Sequence, residues 1–124
     1  MKKTFLPILL STIWTSISEV FRNSFLLHNY WVEHYQKMGQ IFPEQPINGV
    51  IWGIWALIFS VVIFVLNKKF SFVETSVLSW IIGFVMMWLV IGNLGVLPFG
   101  ILLFAIPLSI LEVLVAVWIC KKFQ

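Results

Sequence analysis

The chain has 124 residues, 60% of them hydrophobic and 10% charged, with a formal net charge of +3. Soluble domains carry about 25% charged residues, so a soluble fold this small could not hide the apolar surface, and one membrane domain with the lipid bilayer as its solvent is expected. A single cysteine, Cys120, excludes an internal disulfide and a cysteine-rich metal site; eight bases against five acids, with the lysines mostly in pairs, exclude nucleic acid as a partner.

Met1-Lys2-Lys3 and the apolar residues after them imitate a secretory signal. Ser16-Ile17-Ser18-Glu19 is a poor cleavage site, so the segment is expected to remain as the first span. A span needs about 20 largely apolar residues, and four segments qualify: residues 5–25, 47–66, 72–91 and 99–120. The runs are long and lack the alternation of strands. In lipid, backbone groups must pair within the segment, which leaves helices. The expected fold is all-α, an integral membrane four-helix bundle.

The first span is the most polar. Ser11, Thr12, Thr15, Ser16, Ser18, Glu19, Arg22 and Asn23 recur at helical spacing and form a stripe along one face. Lipid cannot solvate that stripe, so it must face other helices, another subunit or a water-filled cleft. The plain role for the hydroxyls is close packing with interhelical hydrogen bonds. For Glu19 it is a local pair with Arg22, three residues on.

Residues 26–46 mix aromatic and polar side chains and read as an external segment, either an interfacial helix or an extension of span one. Gly39 suits a helix C-cap, and Glu33 with Lys37 forms an i,i+4 pair. His28, Tyr30, Glu33 and His34 are candidates for an external pocket. Six residues separate the histidines, which places them about 120° apart on a helix. Metal ligands favour spacings of three or four, so no metal site is expected.

Pro46 or Asn48 marks the start of span two, and Gly49 with Gly53 makes a GxxxG motif that permits close packing within the protomer or across a dimer. Ser71-Phe72-Val73-Glu74 fits a capping box opening span three, which Gly92-Asn93-Leu94-Gly95 can end. Pro107 is expected to kink span four and free a carbonyl one turn earlier. Glu112 sits in an otherwise apolar run of that span, where a charge costs ~2.5–3.5 kcal/mol on translocon scales. Alone there, it is held as the neutral acid. Along straight helices Glu19 and Glu112 are staggered by about 8 Å, so tilt or a long partner must close the gap. Arg22, Ser109 and the span-one hydroxyls are the partner candidates.

Orientation follows from three lysine pairs, Lys2–Lys3, Lys68–Lys69 and Lys121–Lys122, which fall on one side of a four-span layout. That side is expected to be cytoplasmic, with both termini. Trp31, Trp52 and Trp55 would then form an aromatic belt at the outer interface and Trp118 at the inner one.

Ser18-Glu19-Val20 resembles the glutamate-valine step in the first helix of the small multidrug exporters. The resemblance covers a few residues. The glycine-rich third helix is missing, a long polar segment separates spans one and two, and Glu112 is additional, so the chain is not assigned to that family. The dual-topology fluoride channels share the span number and length but not their third-span signature. The halves show no internal repeat, and an inverted-repeat transporter within one chain is not supported. No enzyme motif is present, so no catalytic residue and no cofactor are assigned.

The leading expectation is a small transporter or channel of a bacterial inner membrane, passing a small ion or solute along a polar cleft between spans one and four. Glu19 and Glu112 would be its protonatable or cation-binding groups and Arg22 their counter-charge, with Thr15, Ser18 and Asn23 along the same path. Four helices enclose little space, so a homo-oligomer or a membrane-protein partner is expected. A second reading is a non-catalytic accessory or structural subunit whose polar stripe meets a partner. A third is a membrane-embedded enzyme using His28, His34 or a carboxylate.

Overall fold

The computed structural model describes residues 2–124, and every regular element among them is helical. Helix α1, Lys2–Val20, passes without a break into a π-helical stretch, Phe21–Leu26, and ends at Leu27. Helix α2, His28–Lys37, is short and is not among the helices long and apolar enough to cross a membrane. It stops at Gly39, whose φ of 73° is readily reached only without a Cβ. Helix α3, Pro46–Asn67, opens with proline at its first turn, where no intrahelical N–H is lost. The Gln45 N–H donates to Asn48 Oδ1 at 2.9 Å. The next span is composite: α4, Phe72–Trp80, a π-helical stretch, Ile81–Val85, and α5, Met86–Asn93. The capping box read from Ser71 and Glu74 is formed, each side chain bonding the other's N–H at 3.2 Å. After a turn at Gly95 and a 3-10 turn, Phe99–Ile101, helix α6 runs over Leu102–Phe123 and continues through Pro107.

Four of these helical runs are long and apolar enough to cross a membrane: Lys2–Leu26, Pro46–Asn67, Phe72–Asn93 and Phe99–Phe123. They extend the expected spans at several ends by one to three residues, because the flanking lysines and Asn67 continue the helical pattern. Exposed Ile17, Ile58, Val77 and Leu111 give the spans apolar outer faces, the arrangement lipid requires.

α1 packs against α3 and α6, and α4 against α6 and α3. Asn67 Nδ2 donates to Gln124 Oε1 at 3.0 Å, which ties the end of α3 to the C-terminus. This end is termed the terminal end below; the opposite one, with residues 38–45 and 94–98, is the loop end. Two apolar clusters hold the bundle. Nearer the terminal end, Ile63, Phe84, Val113, Ala116, Val117 and Cys120 pack without exposure or nearly so. At the loop end, Leu27, Leu97, Ile101 and Ala105 form a smaller one. Gly83 permits the first cluster to close: a Cβ there would lie 2.4 Å from Phe59 Cε1.

Two local expectations are not met. Glu33 and Lys37 do not pair among the described residues; both are exposed, and an exposed pair gains little against the entropy of two long side chains. Gly49 and Gly53 are not packed within the protomer either, since nothing lies within 4 Å of a Cβ added at either position.

Candidate functional site

Helical side chains lean toward the N-terminus of their helix. α1 and α6 run in opposite directions, so Arg22 leans toward the terminal end and Glu112 toward the loop end. The two lean toward each other, and the stagger anticipated between the carboxylates closes through the longest side chain available. Arg22 Nη2 donates to Glu19 Oε1 at 2.6 Å, and Nη1 donates to Glu112 Oε1 at 3.4 Å. The first contact is a tight ion pair and the second a looser one.

Further bonds fix Glu19. Asn23 Nδ2 donates to Glu19 Oε2 at 3.1 Å and to the Glu19 carbonyl at 3.2 Å. Trp31 Nε1 donates to Asn23 Oδ1 at 3.1 Å. One connected line thus runs from α2 into the bundle: Trp31, Asn23, Glu19, Arg22, Glu112. The Phe84 ring lies 5.2 Å from the Arg22 guanidinium carbon, a cation–π contact. All three charged residues are buried, and Glu112 completely. Glu112 Oε2 has no hydrogen-bond partner among the described residues.

Both π-helical stretches converge here. Phe21–Leu26 carries Arg22 and Asn23, and Ile81–Val85 carries Phe84. π-Helical turns are rare and are found disproportionately at functional sites.

A cavity of about 380 Å³ reaches the line from the loop end. Glu19, Arg22 and Asn23 form its deep polar side, and Trp31, Tyr35, Phe42, Trp52, Trp55 and Trp88 are among its aromatic walls. Trp31 stacks on Phe42 at 5.7 Å and Tyr35 meets Phe42 edge-on at 5.2 Å, which gathers α2 and the following loop into one aromatic cap. A second cavity, about 320 Å³, lies along Ser16, Val20, Gly49 and Gly53, between α1 and α3. It shares Glu19, Asn23, Phe42, Pro43, Asn48 and Trp52 with the first, so the two border on one another along these residues. Glu112 lines neither cavity; Arg22 stands between it and the open space.

The structure therefore brings Glu19, Arg22, Asn23 and Glu112 together. Ser18 is half-buried on the same helix, and its hydroxyl lies near the Glu112 carboxyl. Thr15 is buried one turn toward the terminal end, with its hydroxyl unpartnered among the described residues. Ser109 does not partner Glu112: it accepts from Trp80 Nε1 and donates to the Ile106 carbonyl, both at 2.9 Å.

The four external candidates do not converge. His28 pairs with Glu44, His34 Nε2 bonds the Gly95 carbonyl at 2.7 Å, Tyr30 packs on Phe104, and Glu33 is exposed. Among the described residues no three of His, Cys, Asp or Glu could hold a metal ion together. Sequence reasoning missed Tyr35, Phe42 and Trp88. Trp31, Trp52 and Trp55, expected in an outer interfacial belt, also line the cavity. Seven tryptophans in 124 residues were the available signal; composition does not say which way a ring points.

Chemically, two carboxylates flank one guanidinium. With both ionised the cluster carries one negative charge in excess, which a proton or a bound cation would balance. Comparison of the chain with known protein families, curated proteins and solved structures finds no match.

Proposed function

We propose that this protein is a small transporter of a bacterial inner membrane, with both termini cytoplasmic, and that the aromatic cavity is its external binding site. The observation that carries the reading is the cavity's end: about 380 Å³ of space terminates on a buried carboxylate–guanidinium–carboxylate cluster. Ionisable groups inside a span are costly and tend to mark ion and substrate pathways. Beyond the cluster, toward the terminal end, Ile63, Val113, Ala116 and Val117 are packed shut. A site open at one end and closed at the other suits a carrier that binds before it releases, rather than a continuous pore. The accessory-subunit reading draws less support, because the most polar part of the stripe is turned into the bundle.

The orientation rests on the three lysine pairs at the terminal end. Single cysteines placed on a Cys120→Ser background test it: labelling by a membrane-impermeant reagent is expected at Gln40 and not at Asn67. The activity is tested by purified protein in proteoliposomes, screened for uptake of protons, simple ions and organic solutes. Saturable flux that Glu19→Gln reduces at least tenfold is expected. Wild-type vesicles no more permeable than empty ones across the whole screen would remove the transport reading.

A further inference from the structure

Six of the seven lysines stand at the terminal end, Lys2, Lys3, Lys68, Lys69, Lys121 and Lys122, and all six are exposed. Among the described residues none of them pairs with a carboxylate. Glu74, in the first turn of α4, is engaged in the capping box with Ser71. The loop end carries Lys37 alone against Glu33 and Glu44.

Charge alone does not make a site; the placement of two amines does. Lysines at the end of an apolar helix usually extend away from it into water. Lys122 instead lies back over Trp118, one turn earlier, with Nζ 5.0 Å from the ring centre. Lys68 does the same over Phe64, at 4.6 Å. Both amines are thereby drawn toward the apolar length of their helix. Each sits at the head of an exposed apolar stripe: Leu111, Leu114 and Trp118 on α6, and Ile58, Val61 and Val65 on α3.

We infer that the terminal end binds anionic phospholipids, the phosphate of each against an amine that lies back over a ring, Lys122 or Lys68, and its acyl chains along the exposed residues of the same helix. The other four lysines add a positive field that favours a headgroup of net negative charge over a zwitterionic one. The exposed indole of Trp118 suits the boundary between headgroups and chains. The inference rests on the proposed function only for insertion in a membrane; it does not require transport. A soluble phosphate meets the same amines but gains nothing from the apolar stripes.

Bromine on an acyl chain quenches a tryptophan beside it. The full-length protein is reconstituted in phosphatidylcholine vesicles that contain, at one mole fraction, dibrominated phosphatidylglycerol or dibrominated phosphatidylcholine. The quenching lost on Trp118→Phe, which keeps a ring under Lys122, is that of Trp118. It should be at least twofold greater with the brominated phosphatidylglycerol. Lys122→Gln should bring the two lipids to parity, whereas Lys3→Gln, which removes the same charge, should leave most of the preference. In uncharged detergent, phosphatidylglycerol should raise the melting temperature more than phosphatidylcholine does, and Lys68→Gln with Lys122→Gln should remove most of that difference. Equal quenching of Trp118 by the two lipids would overturn the inference, as would no quenching by either. Equal loss of preference in Lys122→Gln and Lys3→Gln would also overturn it, since diffuse charge would then suffice. So would inorganic phosphate that abolishes the preference where sodium chloride of the same ionic strength does not, for the amines would then serve a soluble anion. Preference for phosphatidylglycerol without flux would leave the inference and defeat the transport reading; saturable flux with equal quenching would do the reverse.

Discussion

The two ends of the bundle solve packing differently. Toward the terminal end, α1 and α6 meet through small residues: Ser11 Oγ donates to the Ala116 carbonyl at 3.3 Å and lies 3.2 Å from Cys120 Sγ. Small side chains let backbones approach, and little space remains between them. Toward the loop end, the residues lining the space are Trp31, Trp52, Trp55 and Trp88, with Glu19 and Arg22. Large flat rings do not interdigitate as small side chains do, and they leave a cavity. The contrast teaches that closure and opening along one set of helices follow from side-chain size at each level. The charged cluster sits at the boundary between the two regimes.

The largest effect is expected at that boundary. Arg22→Ala strands two carboxylates, and breaking one buried pair costs about 3–5 kcal/mol. The variant should lose most of its monodisperse yield on size exclusion, and Arg22→Ala with Glu19→Gln should recover part of it. Equal losses in the single and double variants would mean that the ion pair contributes nothing.

Next comes a pair of glycines, one in each regime. Gly83→Val drives a side chain into the Phe59 ring, which is stacked on Trp55 at 4.9 Å and cannot easily turn away. Overpacking of this kind costs about 1–3 kcal/mol, and the melting temperature should fall. Gly53→Val meets open space and should leave it unchanged or slightly raised. A similar fall in both variants would erase the distinction between the ends.

A smaller loss is expected for Ser11→Ala, which removes the hydroxyl between α1 and α6, a net of about 1 kcal/mol. Thermal unfolding against wild type in the same detergent measures it, and a gain in stability would show that the small-residue contact, not the hydrogen bond, holds this level.

The smallest change in stability is expected at Glu112. Glu112→Gln leaves Glu19 and Arg22 as a balanced pair and keeps nearly the same volume, so the protein should fold as wild type. If Glu112 serves the transport cycle, the same variant abolishes the pH dependence of flux in proteoliposomes. Flux with an unaltered pH profile would remove Glu112 from the mechanism.

Much of the architecture was legible. Hydropathy placed four long apolar helices within a few residues of their observed ends, and Ser71 with Glu74 announced the start of one of them. The pair between Glu19 and Arg22 was readable because it lies within one helix turn, where sequence spacing is distance. The reach of Arg22 to Glu112 was open, since it depends on two antiparallel helices leaning their side chains toward one level. The π-helical stretches carried no sequence signal, and one extra residue in a turn is enough to change which side chains face inward.

By itself, then, the sequence determined the number of helices long and apolar enough to cross a membrane, the polar face of the first and the expense of three charges in apolar surroundings, because each follows from local composition and helical periodicity. Only the tertiary structure decided that Glu112 joins Glu19 through Arg22, that the histidines stay apart, and that the tryptophans enclose a space. Those outcomes depend on the relative height and rotation of neighbouring helices. Height and rotation are set by packing among residues distant in the chain, as where Gly83 admits Phe59 and Ser11 reaches Ala116.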